Sequence, residues 1–299
     1  MSQNKFIGTG VALVTPFQRD GNIDFNALTN LTEHLIQNGV NYLVVMGTTG
    51  EAATLNASEK QAVVSHIVQV NAGRLPIVLG MADNNTQALL DEVRSFDFTG
   101  IDAILSATPA YNKPNQRGLY AHYKQLAQAS PLPIILYNVP GRTAVNMTAE
   151  TTVQLARDFS NIIATKEASG DLRQCIYIAK NKPDNFLLIS GDDNLSIPII
   201  SIGGQGTISV VGNAFPHEFS TMIQHALAGN YQEASAIQYK IIELVDTLFE
   251  DGNPAGIKAV LHQLQLIENK LRLPLLEVSP TTYAKLEKCV AALRVGKHA

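Results

Sequence analysis

The feature that most constrains this chain is a recurrence of short apolar runs at intervals of about 25 to 35 residues, each bounded by turn residues and followed by an amphipathic stretch. Such alternation is βα repetition, and its spacing predicts eight units closed into an α/β (β/α)8 TIM barrel. The predicted strands cover residues 10–14, 42–46, 77–80, 103–107, 134–137, 162–166, 187–190 and 207–211. Several, such as Ile134-Ile135-Leu136, are apolar without alternation, as expected where helices cover one face and a barrel interior the other.

Between the strands, residues 24–37 place Leu28, Leu31 and Leu35 on one helical face, Ser58 and Gln61 fit a capping box, and Thr148 fits an N-cap. Beyond the eighth strand the β signal stops, and helical patterns occupy 216–228, 231–249, 254–265 and 280–293. These boundaries predict a barrel catalytic domain over residues 1–229 and a C-terminal helical extension over 230–299. A doubly wound sheet is the alternative, but Gly204-Gln205-Gly206 lacks the third glycine of a dinucleotide fingerprint.

Composition narrows the function classes. With 22 basic and 26 acidic residues spread along the chain and no cationic cluster, nucleic acid is not an expected partner. Cys175 and Cys289 stand far apart outside any CxxC spacing, which fits buried packing residues rather than a disulfide or zinc site. The segment Met1-Ser2-Gln3-Asn4-Lys5 lacks an apolar core, and no run reaches the ~18 residues that span a bilayer, so a soluble cytoplasmic protein is expected. The histidines show no HExxH spacing and no GxSxG elbow is present, which disfavours metal-dependent aldol chemistry and serine hydrolysis.

Barrel enzymes carry their chemistry at the C-terminal ends of the strands. Five polar features fall there: Gly47-Thr48-Thr49-Gly50-Glu51, Tyr111, the segment from Tyr137 to Arg142, Lys166, and Gly191-Asp192-Asp193. Lys166 follows Ile162-Ile163-Ala164-Thr165, and a poorly solvated strand end disfavours an ammonium and frees the amine as a nucleophile. Taken singly, it reads as readily as a rim lysine paired with Glu167, Asp171 or Asp192. Imine formation on a keto acid needs a proton shuttle and a carboxylate anchor, and Tyr137 with Thr48 and Thr49 offers both. Arg142 presents a fork suited to a second carboxylate, or to a surface salt bridge. Gly203-Gly204-Gln205-Gly206 fits a phosphate loop, a tight turn or a close backbone approach.

Together, Gly47-Thr48-Thr49-Gly50-Glu51, Tyr137-Asn138-Val139-Pro140-Gly141-Arg142-Thr143, Lys166-Glu167-Ala168-Ser169-Gly170 and Ser190-Gly191-Asp192-Asp193 resemble the dihydrodipicolinate synthase family of pyruvate-dependent class I aldolases, in order and spacing, over essentially the whole chain. The resemblance implies a Schiff base between Lys166 and pyruvate, a proton relay of Thr49, Tyr137 and Tyr111, and Thr48 with Thr49 on the pyruvate carboxylate. It implies aspartate-4-semialdehyde as second substrate, held by Arg142, with Gly191 and Ile208 lining the site. The reaction is the first committed step of diaminopimelate and lysine synthesis, and no metal or organic cofactor is implied. Tyr111 would come from a neighbouring subunit, and a homotetramer built as a dimer of dimers is the implied assembly. Pyruvate-dependent sugar-acid lyases of the N-acetylneuraminate or 2-keto-3-deoxygluconate type share the threonines, tyrosine and lysine, and Arg142 does most to set them apart. A catalytically silent keto-acid sensor is a third reading, against which the joint presence of these residues argues. Where lysine-inhibited relatives carry two histidines, a glutamate and a tyrosine, the matching positions here are Ala57, Lys60, Ala88 and Ala110, so feedback by lysine is expected to be weak or absent.

Overall fold

The structure, a computed structural model, describes residues 3–295. Strands β1 (Gly8–Ala12), β2 (Tyr42–Val45), β3 (Ile77–Gly80), β4 (Ala103–Ala107), β5 (Ile134–Asn138), β6 (Ile162–Glu167), β7 (Leu187–Ser190) and β8 (Gly206–Ser209) pair in parallel in sequence order and close into a barrel through β1 and β8. The strand pleat sorts their apolar residues into two layers. Val44, Val78, Leu105, Ile135, Ile189 and Ile208 fill the interior, while Leu43, Leu79, Ile104, Leu136 and Leu188 face the surrounding helices.

The ring is made by α1 (Phe25–Gln37), α2 (Ala57–Asn71), α3 (Thr86–Ser95), α4 (Gln116–Ala129), the short α5 (Pro140–Thr143), α6 (Ala149–Asp158), α7 (Leu172–Asn181), α8 (Ser196–Ser201) and α9 (Pro216–Leu227). Then follow α10 (Tyr231–Leu248), α11 (Ala255–Gln263) and α12 (Pro280–Val295). Helix α10 packs along α9, and the segments flanking α11 reach back to the barrel mouth, where they meet the turn after β2. Among the described residues no helix is long and apolar enough to cross a membrane.

Several local expectations shift for identifiable reasons. Helix α2 opens with a capping box formed by Asn56 and Glu59, each side chain bonding the other's main-chain N–H, rather than by Ser58 and Gln61. Ser58 lies within the first turn, where its hydroxyl donates to Asn56 Oδ1 at 2.6 Å. Thr148 caps α6 as expected, accepting from the Thr151 N–H. Strand β8 stops at Ser209 because the next two amides, Val210 and Val211, donate instead to the Asp193 carboxylate at 3.1 and 2.8 Å. Cys175 is buried and Cys289 half-buried, both as free thiols.

The glycine-rich segment before β8 is a close backbone approach. Gly206 has φ +151°, and a Cβ there would sit 2.1 Å from the Gly8 carbonyl oxygen, so only glycine lets β8 close on β1. Gln205 is consumed in the same seam, bonding Gly8 and Leu188 through its backbone and Leu188 again through its carboxamide. The segment precedes β8 and so lies at the end of the barrel opposite the strand C-termini, where a phosphate site would not meet the residues proposed for catalysis.

Candidate active site

Register brings the first pair together. Tyr137 of β5 stands opposite Lys166 of β6, and both turn into the barrel mouth. Lys166 is 5% exposed, with Nζ 4.4 Å from the centroid of the Tyr137 ring. None of the carboxylates considered as its partner takes it. Glu167 points outward, accepting from Asn138, Gln174 and the Ser169 amide, and burial pushes its carboxyl above the ordinary range. Among the described residues Lys166 forms no ion pair. The face of the Tyr137 ring is the cation contact offered to this side chain, worth about 0.5–2 kcal/mol.

Gly191, just past β7, makes room for this lysine. A Cβ at Gly191 would lie 2.7 Å from Ala168 Cβ and 3.0 Å from Lys166 Cε, so any side chain would press on the lysine stem. Its contribution is therefore clearance for the Lys166 chain as well as a stretch of cleft wall.

The threonine turn is held from behind. Thr48–Gly50 form a single 3-10 turn, closed by the Gly50 amide on the Gly47 carbonyl at 3.0 Å, and Glu51 ends it in the left-handed region at φ 53°. The Glu51 side chain is fully buried and pairs with the equally buried Lys258 of α11. Lys258 also donates to the Lys270 carbonyl at 2.9 Å and lies 4.1 Å over the Phe17 ring. Burial pulls the Lys258 ammonium down, while Glu51 resists. Arg272 completes the network, donating its amide to Glu51 and a bidentate pair at 2.9 and 2.6 Å to Glu59. Because breaking one partner of such a buried pair costs about 3–5 kcal/mol, the turn is anchored to the C-terminal helices.

Thr49, 3% exposed, accepts a hydrogen bond from Asn253 Nδ2 at 2.9 Å. Arg142, presented by α5 with Pro140 as its first residue, donates from Nη2 to the Asn253 carbonyl at 3.2 Å. Thr48, Thr49, Tyr137, Arg142, Lys166 and Gly191 thus share the wall of one cleft of about 890 Å³. A neighbouring lobe of about 440 Å³ shares Gly47, Thr48, Tyr137, Arg142 and Asn253 and extends to Lys60.

Of the expected site residues, Ile208 and Tyr111 do not line this cleft, and Tyr111 is the one expected to serve a neighbouring copy. Ile208 is fully buried in the barrel interior and does not reach the cleft wall. Tyr111 is 89% exposed, outside the cleft, with a strained φ of 68° and its amide on the Thr143 carbonyl at 3.3 Å. Conversely, Asn253, Glu51, Lys258 and Arg272 are parts of the site that motif reasoning missed as a unit. Only Glu51 belongs to a recognisable motif; the other three come from the connections and helix of the C-terminal region, with nothing local to mark them. Among the described residues no group of three or more His, Cys, Asp or Glu side chains could hold a metal ion.

The Dihydrodipicolinate synthetase family pattern matches residues 5–293. The 4-hydroxy-tetrahydrodipicolinate synthase of Phocaeicola vulgatus is 52% identical over 295 residues, covering 99% of each chain. The crystal structure of a chloride-inhibited dihydrodipicolinate synthase from Acinetobacter baumannii complexed with pyruvate superposes with a TM-score of 0.93 at 37% identity, covering 97% of this chain and 99% of that one. A synthase from Cyanidioschyzon merolae with lysine bound gives a TM-score of 0.93 at 38% identity, with the same coverage.

Proposed function

The chain belongs to the dihydrodipicolinate synthetase family, and from that footing we propose that it condenses pyruvate with L-aspartate-4-semialdehyde to 4-hydroxy-tetrahydrodipicolinate through a Schiff base on Lys166. The observation that carries the assignment to Lys166 is its burial without a counter-ion, Nζ over the Tyr137 ring, in the cleft shared with the threonine turn and Arg142.

The Lys166 amine adds to the pyruvate ketone, and the carbinolamine loses its hydroxyl as water once protonated, leaving an iminium. Tyr137 is the shuttle for that proton, relayed through Thr49 and Tyr111. Thr48 and Thr49 hold the pyruvate carboxylate. The iminium withdraws electrons from the methyl group, which loses a proton to give an enamine, and the enamine carbon attacks the aldehyde. The amino group of the semialdehyde then adds to the imine carbon and displaces Lys166, closing the ring with one water released overall. Arg142 takes the semialdehyde carboxylate through the donors that Asn253 does not use. Gly191 and Ile208 complete the surroundings, one beside the lysine stem and one within the barrel beneath the strand ends.

An exposed, strained Tyr111 fits a side chain that completes the relay of a neighbouring copy, in a homotetramer assembled from tight dimers. On this account dilution to monomers abolishes turnover, and a fully active isolated monomer would refute it. Residues 1–229 are proposed as the catalytic barrel and 230–299 as an extension that braces it. Lysine is not expected to act as an effector, since Lys60 adds a positive charge and Ala57, Ala88 and Ala110 offer no side-chain hydrogen bonds; submillimolar inhibition by lysine would contradict this.

The decisive comparison is turnover of pyruvate plus aspartate-4-semialdehyde against cleavage of N-acetylneuraminate and 2-keto-3-deoxygluconate. Condensation with negligible cleavage supports the reading; preferential cleavage of a sugar acid replaces it.

A further inference from the structure

Asn253 stands in the connection between α10 and α11, 8% exposed, where the C-terminal region reaches the cleft wall. It touches both ends of the site. Its side chain donates from Nδ2 to the Thr49 hydroxyl at 2.9 Å, and its main-chain carbonyl receives Arg142 Nη2 at 3.2 Å. We propose that Asn253 is a positioning residue that fixes the direction in which Thr49 passes its proton, and that it ties this to the arginine of the second-substrate subsite. This rests on the condensation reaction proposed above.

The Thr49 bond has a fixed polarity. An amide N–H has no lone pair to offer, so Thr49 Oγ1 is the acceptor and its own hydrogen is left for another partner. Without Asn253 the hydroxyl would be a free rotor that could donate in more than one direction. With it, one lone pair is occupied and the O–H is directed to whatever acceptor the cleft presents, a substrate carboxylate or the Tyr137 oxygen.

The other end of the same carboxamide supports the assignment. Asn253 Oδ1 is buried without a hydrogen-bond partner among the described residues. A buried carbonyl left unpaired is unfavourable, and an apolar side chain of similar shape would serve packing as well or better. An asparagine that uses only the group facing Thr49 is accounted for by what that group does to Thr49. The backbone bond to Arg142 is retained by any residue at this position, so side-chain variants separate the Thr49 effect from the arginine.

The experiment is a double-mutant cycle between Asn253→Leu and Thr49→Val, reading kcat, KM for each substrate and thermal midpoint, with wild-type condensation as its reference. Asn253→Leu is expected to lower kcat by about tenfold, the equivalent of one well-placed hydrogen bond, with KM for the semialdehyde and thermal midpoint nearly unchanged. In the Thr49→Val background the same change should have no further effect on kcat, because there is no hydroxyl left to orient. Equal kcat losses in both backgrounds, or a lowered thermal midpoint that accounts for the loss, would overturn the proposal. Failure of the wild type to condense the two substrates would instead overturn the functional reading beneath it, so the two failures are distinct.

Discussion

Among the described residues two lysines are buried, and their surroundings could hardly differ more. Lys258, with no exposure, is held by Glu51, the Lys270 carbonyl and the Phe17 ring. Lys166, 5% exposed, has a tyrosine ring and an open cleft. Burial is common to both, so burial does not make a nucleophile. A lysine engaged on several sides is a structural cation that anchors a turn, whereas one set in a cleft wall, with no ion pair among the described residues, is placed to meet an electrophile. Pairing with a carboxylate, the structural alternative weighed for Lys166, is what Lys258 does, in the buried setting of α11 rather than at the barrel rim.

The contrast can be broken experimentally, beginning with its largest consequence. Lys166→Ala should reduce kcat on the order of 10⁴-fold or more, the scale of losing a nucleophile, while leaving the thermal midpoint close to wild type. Preserved activity would move the nucleophile elsewhere. Lys258→Met should do the reverse in kind. It strands the Glu51 carboxylate in the interior and should destabilise the fold by about 3–5 kcal/mol in chemical denaturation. Combining it with Glu51→Gln should recover part of that loss; no recovery would mean the pair is not what holds the turn.

A smaller effect tests the site's second half. Arg142→Ala should lower kcat/KM for the semialdehyde by about 10- to 100-fold, as for loss of a charge-assisted contact, with pyruvate imine formation unchanged. Equal use of the semialdehyde by variant and wild type would return the sugar-acid reading to contention.

His122 extends the contrast to a buried base that forms no ion pair among the described residues. Its Nδ1 meets the Thr86 hydroxyl at 2.9 Å, its Nε2 has no hydrogen-bond partner among the described residues, and burial pulls the imidazole down to about 4, against a weaker opposing effect of Asp83. A base depressed in the folded state contributes stability that is present above its unfolded pKa of ~6.5 and is lost as pH falls toward 4. Stability should therefore fall by up to ~3 kcal/mol from this group between pH 7 and pH 4, and His122→Gln should flatten that part of the profile. A slope identical in variant and wild type would assign acid sensitivity to other groups.

The barrel was legible because its signal is periodic and repeated. Eight apolar runs, each buried on both faces, announce strands whatever their exact ends. The ends were less legible, since they depend on side chains far away in sequence, as when Asp193 captures the amides after Ser209. The same distinction divides the site. Lys166, Tyr137, Thr48, Thr49 and Arg142 sit in short motifs at strand ends and could be read directly. Asn253 and Lys258 reach the threonine turn across about 200 residues of chain, Asn253 bonding Thr49 at a separation of 204, and no local pattern announces such a partner.

If Lys166 is the amine that meets the keto acid, the imine it forms can be trapped on that residue. The measurement is incubation with pyruvate, borohydride reduction and peptide mass mapping. One reduced pyruvate adduct is expected, on the peptide bearing Lys166 and lost in Lys166→Ala. An adduct on Lys258 or any other lysine, or none at all, would contradict it.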